Sequence, residues 1–407
     1  MPYSSCCVVG LGYIGLPTAA LLASRGFEVK GIDINSDVVQ IINSGNVHIV
    51  EPGLSELVAS VVASGSLVAY TNPQPSDVFI IAVPTPFKDD SNLIPEPNID
   101  YVLQAAESVS DVLEPGNLVL IESTSPVGTT EYVAQVIAEK SSLPLEQFDI
   151  AYCPERVLPG KILDELVTND RVIGGLTPAS SLAGKEFYSR FCHGSLLSTN
   201  SRTAELVKLA ENSFRDVNIA FANEISIVCD QLDVNVRDMI NLANHHPRVN
   251  ILNPGCGVGG HCIAVDPWFI ASASPESTPL IQTARSVNDS KAEWVVDQVV
   301  LKAKTLEQEL GRPPRIGCMG ISFKPDVDDL RESPALYITK KLLSHGHNIL
   351  ICEPNLVSHS VFTLSTIEST VENSDLLVFL VAHSRFIGLD LAGVQVFDLC
   401  GVLEKAS

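Results

Sequence analysis

The chain has 407 residues, of which 45% are hydrophobic and 18% are charged, and its formal net charge is −22 at pH 7. This length and composition predict a well-packed protein of two or three domains and exclude a disordered chain. The acidic excess disfavours nucleic acid and anionic membranes as partners, although a few Arg or Lys side chains in a cleft still permit a phosphorylated substrate.

Ten cysteines occur with no Cys-x-x-Cys pair. Several lie in apolar runs that are typical of buried strands, which indicates reduced thiols in a reducing compartment. The first residues include no basic signal-peptide segment, and no apolar run approaches the ~18–20 residues of a membrane-spanning helix. We therefore expect a cytoplasmic protein that does not associate with membranes.

The first third of the chain alternates apolar runs with helical segments. The runs at 5–10, 29–33, 78–83 and 118–122 are nearly continuous. Runs of this kind predict a parallel sheet that is covered by helices on both faces. We place the first domain at residues 1–190.

A glycine pattern follows the first of these runs. Gly10, Gly12 and Gly15 form Gly-x-Gly-x-x-Gly between a predicted strand and a predicted helix. Such glycines let the backbone approach a pyrophosphate, and the helix N-terminus supplies N–H groups. Asp33, at the end of the next strand, would accept from ribose hydroxyls and repel a 2′-phosphate, so the pattern predicts NAD rather than NADP. The alternative is a packing turn without a ligand.

Hydroxyl side chains follow two further strands, in Val83-Pro84-Thr85-Pro86 and Ser123-Thr124-Ser125-Pro126. Ligands bind at the carboxyl edge of open α/β sheets, so these hydroxyls are candidates for contact with the cofactor. Either segment could instead cap the N-terminus of a helix.

Residues 203–240 contain neither Gly nor Pro, and their apolar residues have helical spacing. This predicts one long helix, or alternatively two shorter ones, in a central domain at 191–305 with a dimerisation surface. Strand patterns then resume at 315–320, 348–353 and 376–381. The last domain is placed at 306–407. The expected fold is therefore α/β, with two doubly wound Rossmann-like domains joined by a long central helix.

Lys208, Asn212 and Arg215 lie at i, i+4 and i+7 of the predicted long helix, and therefore on one face. A solvated polar face is one interpretation. Because neighbours such as Ala210 and Phe214 are apolar, we expect the polar stripe to line an internal cleft instead. There a lysine can move protons and stabilise an oxyanion, and an asparagine can hold a water or hydroxyl.

Cys262 follows Gly259-Gly260-His261, whose glycines permit a close approach of a ligand. Beside a nicotinamide, a thiolate can trap an aldehyde as a thiohemiacetal, whose oxidation gives a thioester that water cleaves to an acid. Asp266, four residues later, could act as a base or orient one. The alternative is a buried, inert thiol.

Histidines and cysteines also cluster in this part of the sequence, at His245, His246, Cys256, His261 and Cys262. Their spacing matches no standard zinc pattern, so we expect no metal. Cys256 has no assigned role, which leaves open which thiol an alkylating reagent would modify first.

Two more segments supply candidates. Glu155, in Cys153-Pro154-Glu155-Arg156 after another strand, could activate a hydrolytic water or merely pair with the arginine beside it. Phe323, Lys324 and Arg331 follow a second glycine turn, where the two cations could dock a diphosphate or the cofactor. Surface solvation is the alternative, and we prefer it for the three aspartates between them.

Several motifs together resemble the UDP-glucose/GDP-mannose dehydrogenase family over almost the full length. The matching segments are Val9–Pro17, Pro154–Arg156, Lys208–Asn212, Gly259–Cys262, Phe323–Pro325 and Arg331–Pro334. Three more segments are most similar to the members that act on UDP-N-acetyl-D-mannosamine. These are Asn212–Asn218, His246–Asn250 and Ile263–Trp268.

The resemblance implies a role for each candidate. Cys262 would be the nucleophile and Lys208 the acid/base, assisted by Asn212, with Glu155 and Asp266 handling water and the thiol. Besides the three glycines and Asp33, the NAD contacts would be Tyr13, Ile14, Thr85, Thr124 and Arg331. The UDP-sugar contacts would be Arg156, Val157, Lys208, Asn212, Arg215, His246, Arg248, Gly259, Phe323 and Lys324, and Arg248 could act across a subunit interface.

The implied reaction is the oxidation of UDP-N-acetyl-D-mannosamine at C6 by two NAD⁺ and water, which yields the uronate for a bacterial surface polysaccharide. UDP-N-acetylglucosamine is the alternative substrate, followed by UDP-glucose and GDP-mannose, because a few pocket contacts decide between epimers. A catalytically silent NAD-binding sensor is the alternative of another class, and the joint presence of Cys262, Lys208 and Asn212 argues against it. A homodimer or higher homo-oligomer is expected.

Overall fold

A computed structural model of the chain describes residues 3–88, 94–391 and 393–403. The chain forms two compact units. One consists of Met1–Ala210 with Trp268–Ser274, and the other of Glu211–Pro267 with Pro275–Ser407.

The first unit contains an eight-stranded sheet. Its strands are β1 (Ser5–Val9), β2 (Glu28–Ile32), β3 (Leu67–Tyr70), β4 (Val78–Ile81), β5 (Leu118–Ile121), β6 (Asp149–Tyr152), β7 (Arg171–Gly175) and β8 (Leu196–Asn200). They are arranged in the order β3-β2-β1-β4-β5-β6-β7-β8. The order reverses between β1 and β4, where open α/β sheets form a crevice for ligands at the carboxyl ends of the strands.

Strand β1 shows why this sheet is covered on both faces. Alternate residues of a strand point to opposite faces. Cys6 and Val8 belong to one apolar cluster, whereas Cys7 and Val9 belong to another. All four side chains are buried. A strand that buries both faces needs a continuous apolar run, which is the pattern read from the sequence.

Helices separate the strands of the first unit. They are α1 (Gly15–Ser24), α2 (Ser36–Asn43), α3 (Leu54–Ala63), α4 (Asp100–Ser110), α5 (Thr129–Ser141), α6 (Ile162–Thr168) and α7 (Pro178–Tyr188). Two of them begin at residues suited to a helix N-terminus. The Asn35 side chain accepts from Asp37 N before α2, and Thr177 caps α7 ahead of Pro178.

Two strands, β7 and β8, run opposite to the other six strands of the sheet. β7 pairs antiparallel with β6, with Ala151 opposite Gly175 and Tyr152 opposite Gly174, whereas β8 runs parallel to β7. The first residue of β7, Arg171, therefore lies at the edge of the sheet where β6 ends. The apolar pattern of a strand carries no information about its direction, so the sequence did not indicate this reversal.

A 31-residue helix, α8 (Ser201–Gln231), crosses the boundary between the two units. A second, short helix, α9 (Val236–Ala243), follows it. The segment 203–240 thus forms one long helix and the beginning of another. The helices α10 (Asp266–Ala273) and α11 (Pro279–Leu310) come next.

The second unit contains a smaller, parallel sheet. Its strands are β9 (Arg315–Met319), β10 (Asn348–Cys352), β11 (Leu376–Phe379) and β12 (Gln395–Asp398), accompanied by the helices α12 (Pro334–Ser344) and α13 (Ile367–Asn373). The strand order is β10-β9-β11-β12. The expected α/β fold, with two doubly wound sheets and a long helix between them in the sequence, is confirmed. No helix in the described ranges has both the length and the apolar character needed to cross a membrane.

The glycine turn after β1 generates the first prediction. A Cβ atom on Gly15 would lie 1.7 Å from the carbonyl oxygen of Gly10, whereas a Cβ on Gly12 would have no atom within 4 Å. We expect Gly15→Ala to lower the free energy of unfolding by about 1–3 kcal/mol or more. The matched Gly12→Ala variant should stay within about 0.5 kcal/mol of the wild type. Urea unfolding of both variants measures the difference, and equal stabilities would contradict this account of the turn.

Candidate active site

The glycine turn of the first unit provides a cradle for a dinucleotide. Gly10 has φ of 94°, a left-handed conformation that favours glycine, and α1 begins at Gly15. Asp33, after β2, accepts hydrogen bonds from Leu11 N at 3.2 Å and Asn35 N at 2.9 Å. The open space beside Gly12 at the N-terminus of α1 fits the close approach of a pyrophosphate. The residues present therefore suit the expected cofactor.

The hydroxyl segments after β4 and β5 do not cap helices. The helices that follow them begin at Asp100 and Thr129, and their N-cap residues are Ile99 and Gly128. The Thr85 side chain is buried and Thr124 is half-buried. Because the capping alternative does not apply, contact with a ligand remains the prediction for both threonines.

Lys208 and Glu155 are brought together within the first unit. The Lys208 Nζ atom donates to the backbone oxygen of Glu155 at 2.6 Å. Arg156 donates from Nη1 to the backbone oxygen of Asp170 at 3.1 Å, and Val157 packs against the apolar core. Four of the predicted site residues thus lie in one neighbourhood, at the end of β6.

The cation that faces the Glu155 carboxylate is one that the sequence did not single out. Glu155 Oε1 accepts from the backbone N–H of Arg156 at 2.8 Å. Glu155 Oε2 lies 3.7 Å from Nη1 of Arg171. The same nitrogen lies 3.8 Å from Oε1 of Glu122, the residue directly after β5. The signal that could have identified Glu122 is an acid that immediately follows a continuous apolar run.

In the second unit, the structure joins Asn212 to Asp266. Asn212 Nδ2 donates to Asp266 Oδ2 at 2.6 Å, and both side chains are buried. The backbone N–H groups of Val265 and Asp266 donate to the oxygen of Cys262, at 3.1 and 2.8 Å. This turn places Cys262 directly before α10, and the cysteine is exposed.

The apolar neighbours of the polar stripe on α8 differ in burial. Leu209 is 1% exposed, whereas Phe214 is 71% exposed and Ala210 is exposed as well. A cleft along the stripe stays a prediction. Asn212 is buried because it bonds to Asp266, whereas Arg215 is exposed. The burial of each side chain on this face of α8 therefore differs from one residue to the next.

The pair Gly259-Gly260 packs directly against Phe323. Gly260 has φ of 83°, and a Cβ atom there would lie 2.6 Å from Cε2 of the Phe323 ring. The N–H of Gly260 donates to the backbone oxygen of Arg331 at 3.1 Å. Three of the predicted residues, Gly259, Phe323 and Arg331, are thus held in one neighbourhood, and only glycine fits at this contact.

The aspartates between Lys324 and Arg331 are not merely solvated. Arg331 Nη2 lies 2.6 Å from Oδ2 of Asp329, and Asp326 Oδ1 accepts from the backbone N–H of Ser384 at 2.9 Å. The preferred interpretation as surface solvation is therefore wrong for these two acids. Lys324 is half-buried beside them.

The remaining candidates lie after α9. His246 and Arg248 are both exposed, and Nδ1 of His246 accepts from the backbone N–H of Arg248 at 3.3 Å. Among the residues that the structure describes, no group of three or more His, Cys, Asp or Glu side chains is arranged to hold a metal ion.

Comparison with known proteins identifies a single family along the chain. Residues 4–192 match the NAD binding domain of the UDP-glucose/GDP-mannose dehydrogenase family, residues 202–290 match its central domain, and residues 317–405 match its UDP binding domain. The resemblance expected from the motifs is thereby confirmed, and so is NAD as the cofactor.

Individual relatives are similar over nearly their whole length. UDP-N-acetyl-D-mannosamine dehydrogenase of Campylobacter jejuni is 52% identical, over 98% of this chain and 99% of the relative. NDP-N-acetyl-D-galactosaminuronic acid dehydrogenase of Ralstonia nicotianae is 49% identical, over 95% and 93%. The solved structure of a UDP-D-ManNAc dehydrogenase from Pyrococcus horikoshii has a TM-score of 0.89 at 36% identity, covering 98% of this chain and 96% of that one.

The contrast between two thiols generates the second prediction. Cys256 is 5% exposed, its thiol donates to the backbone oxygen of Leu380, and burial raises its pKa to about 12. Cys262 is exposed. Because alkylation needs an accessible thiolate, brief treatment with iodoacetamide near neutral pH should modify Cys262 at least about tenfold faster than Cys256. Peptide mass spectrometry measures the ratio, with Cys262→Ser as the control, and comparable modification of Cys256 would contradict it.

Proposed function

The chain belongs to the UDP-glucose/GDP-mannose dehydrogenase family, and from this premise we propose that it oxidises UDP-N-acetyl-D-mannosamine at C6 to the uronate. The observation that carries the proposal is 52% identity to a UDP-N-acetyl-D-mannosamine dehydrogenase over almost the full length of both chains. The reaction consumes two NAD⁺ and one water, and it releases the carboxylate, two NADH and three protons.

The first oxidation converts the C6 alcohol to an aldehyde. When bound, one NAD⁺ would supply the hydride acceptor for this step, and a second NAD⁺ would supply it for the second oxidation. Lys208 accepts the hydroxyl proton and stabilises the developing negative charge on oxygen. Lys208 takes this proton as the neutral amine, and its Nζ atom is oriented by the hydrogen bond that it donates to the backbone oxygen of Glu155.

The second oxidation uses the thiol. The thiolate of Cys262 forms a bond to the aldehyde carbon, whose oxygen takes up a proton, and the resulting thiohemiacetal loses that proton and a hydride to become a thioester. Water then attacks the thioester carbon, and the carbon–sulfur bond breaks to regenerate the thiol. Glu155 removes a proton from that water, while the hydrogen-bonded pair of Asn212 and Asp266 supports the oxygen and the thiol.

The contacts to the cofactor and the nucleotide sugar are part of the proposal. NAD is held by Gly10, Gly12, Tyr13, Ile14, Gly15, Asp33, Thr85, Thr124 and Arg331. The UDP-sugar is held by Arg156, Val157, Lys208, Asn212, Arg215, His246, Arg248, Gly259, Phe323 and Lys324. The packing of Phe323 on Gly260 supports this set, because it joins the two segments that carry Gly259, Phe323 and Lys324.

A second substrate is favoured by one comparison. The relative from Ralstonia nicotianae, at 49% identity, is named for N-acetyl-D-galactosaminuronic acid. Because a few contacts decide the configuration that a sugar pocket accepts, a UDP-N-acetylhexosamine of different configuration is the second candidate. NADH formation with a panel of UDP-N-acetylmannosamine, UDP-N-acetylglucosamine, UDP-N-acetylgalactosamine and UDP-glucose decides between them. Two NADH per sugar are expected with the true substrate, and no NADH with any of them would contradict the proposal.

We also propose the domain organisation, the assembly and the location of the protein. The domains are the NAD-binding domain at 1–190, the central domain at 191–305 and the UDP-sugar-binding domain at 306–407. The three matched family segments support this division. The protein is proposed to be a cytoplasmic homodimer or higher homo-oligomer, and the reduced state of its ten cysteines supports the reducing compartment.

The thiol chemistry generates a third prediction. Cys262→Ser should reduce uronate formation by about a thousandfold or more, because a serine hydroxyl is a far weaker nucleophile than a thiolate. NAD affinity should not change. Chromatographic quantification of the uronate and NAD titration by fluorescence give the two values. Cys400→Ser removes a thiol from another part of the chain and should keep full activity. Normal turnover by Cys262→Ser would exclude the covalent route.

The proposed acid/base generates a fourth prediction. Lys208→Ala should slow the first hydride transfer by about 10²–10⁴-fold, the usual contribution of a positioned proton-transfer group. Single-turnover NADH absorbance measures that step, and a separate NAD titration should give the wild-type affinity. Lys185→Ala, a lysine of α7 outside the proposed site, is the control. A Lys208→Ala variant with normal single-turnover rate and weakened NAD binding would contradict the assigned role.

A further inference from the structure

Two buried carboxylates of the first unit face one buried cation. Nη1 of Arg171 lies 3.8 Å from Oε1 of Glu122 and 3.7 Å from Oε2 of Glu155. The side chains of Glu122, Glu155 and Arg171 are 0%, 9% and 5% exposed, respectively. With both acids ionised, this group would carry one net negative charge away from water, which is unfavourable. One proton shared by the two acids makes the group neutral.

Two further neighbours in this group, Tyr188 and Cys153, are uncharged. The Tyr188 hydroxyl of α7 donates to Glu122 Oε1 at 2.7 Å, and Cys153 accepts a contact from Arg171 Nη1. Burial raises the pKa values of both groups, that of Cys153 to about 12, so both keep their protons. Burial also raises the pKa of Glu122 to about 7; Arg171 and the Tyr188 hydrogen bond oppose that shift, and the charge of Glu155 adds to it.

The two acids differ in how well their ionised forms are supported. Glu155 Oε1 accepts a backbone N–H at 2.8 Å and its side chain reaches the surface slightly. Glu122 is fully buried and accepts only from the Tyr188 hydroxyl, and the Oε2 atoms of both acids accept no hydrogen bond from the described residues. A negative charge is favoured where solvent can reach it, so the acid that we assign as ionised is Glu155.

We propose that Glu122 holds the one proton shared by the two carboxylates and thereby keeps Glu155 ionised opposite Arg171, ready to take a proton from the hydrolytic water. Glu122 acts through Glu155 and is a positioning residue. The catalytic half of this inference rests on the proposed function, whereas the shared proton is a property of the resting protein.

Turnover should depend on the charge of Glu122. As the pH rises through about 7, Glu122 loses its proton, and a second negative charge then competes for Arg171. The rate of thioester hydrolysis should therefore change across this range. Glu122→Gln is neutral at every pH and should abolish this inflection of kcat, while KM for the nucleotide sugar stays within about twofold of the wild type.

The direct test is ¹³C NMR of the substrate-free protein labelled at the glutamate side-chain carboxyls, titrated between about pH 5.5 and 8.5. One carboxyl should titrate near neutrality, and its signal should be lost in Glu122→Gln. In Glu155→Gln its midpoint should fall by at least about one pH unit, because a single carboxylate then faces Arg171. Glu51→Gln, at a buried acid bound by the N–H groups of Gly160 and Ile162, is the matched control and should keep the midpoint.

A variant that preserves both acids covers the case in which Glu122→Gln fails to fold. Tyr188→Phe removes the hydroxyl that donates to Glu122, and the midpoint should move to higher pH because the ionised form loses a donor. Absence of a carboxyl that titrates near neutrality, or its persistence in Glu122→Gln, would overturn the inference whatever the enzyme oxidises. A protein that oxidises none of the nucleotide sugars but shows the titration would refute the proposed function and leave the shared proton standing.

Discussion

The guanidinium of Arg171 is the interaction on which the reactive edge of the first sheet depends. It lies between two carboxylates at the ends of β5 and β6, and it also donates to the backbone oxygen of Leu166 at 3.2 Å. Its Cζ atom lies 4.6 Å from the centroid of the Tyr188 ring. Removing one charge from such a buried set leaves another uncompensated, which typically costs about 3–5 kcal/mol. The arginine therefore sets both the stability and the charge state of this edge.

In each of the two sheets, an acid that follows a strand accepts backbone N–H groups of a neighbouring turn. In the first, Asp33 follows the second strand and accepts the N–H of Leu11 in the glycine turn. In the second, Glu353 follows β10 and accepts the N–H groups of Ile321 and Ser322, at 2.8 and 3.0 Å. Glu353 also faces the buried His383 at 3.1 Å. The turn that carries Phe323 and Lys324 is thus fixed by an acid, as the cofactor turn is.

The sequence predicted those parts of the molecule that local patterns specify. Apolar runs, the glycine turn and Asp33 indicated the sheets and the cofactor cradle, since each depends on neighbouring residues alone. The role of Arg171 was not predicted, because its position depends on the antiparallel direction of β7. An apolar pattern does not indicate the direction of a strand. The exposure of Phe214 was also missed, because helical spacing defines a face without showing what covers it. The contact between Gly260 and Phe323 joins segments far apart in sequence, so it too required the fold.

The reversed direction of β7 has a consequence for the order in which the molecule matures during synthesis. The six strands that form the dinucleotide cradle are complete by Tyr152, and their hydrogen bonds do not require the next strand. Their two buried acids, however, acquire a counter-charge only when Arg171 emerges from the ribosome. The nascent sheet therefore completes the hydrogen bonds of these six strands before its two buried acids can face Arg171.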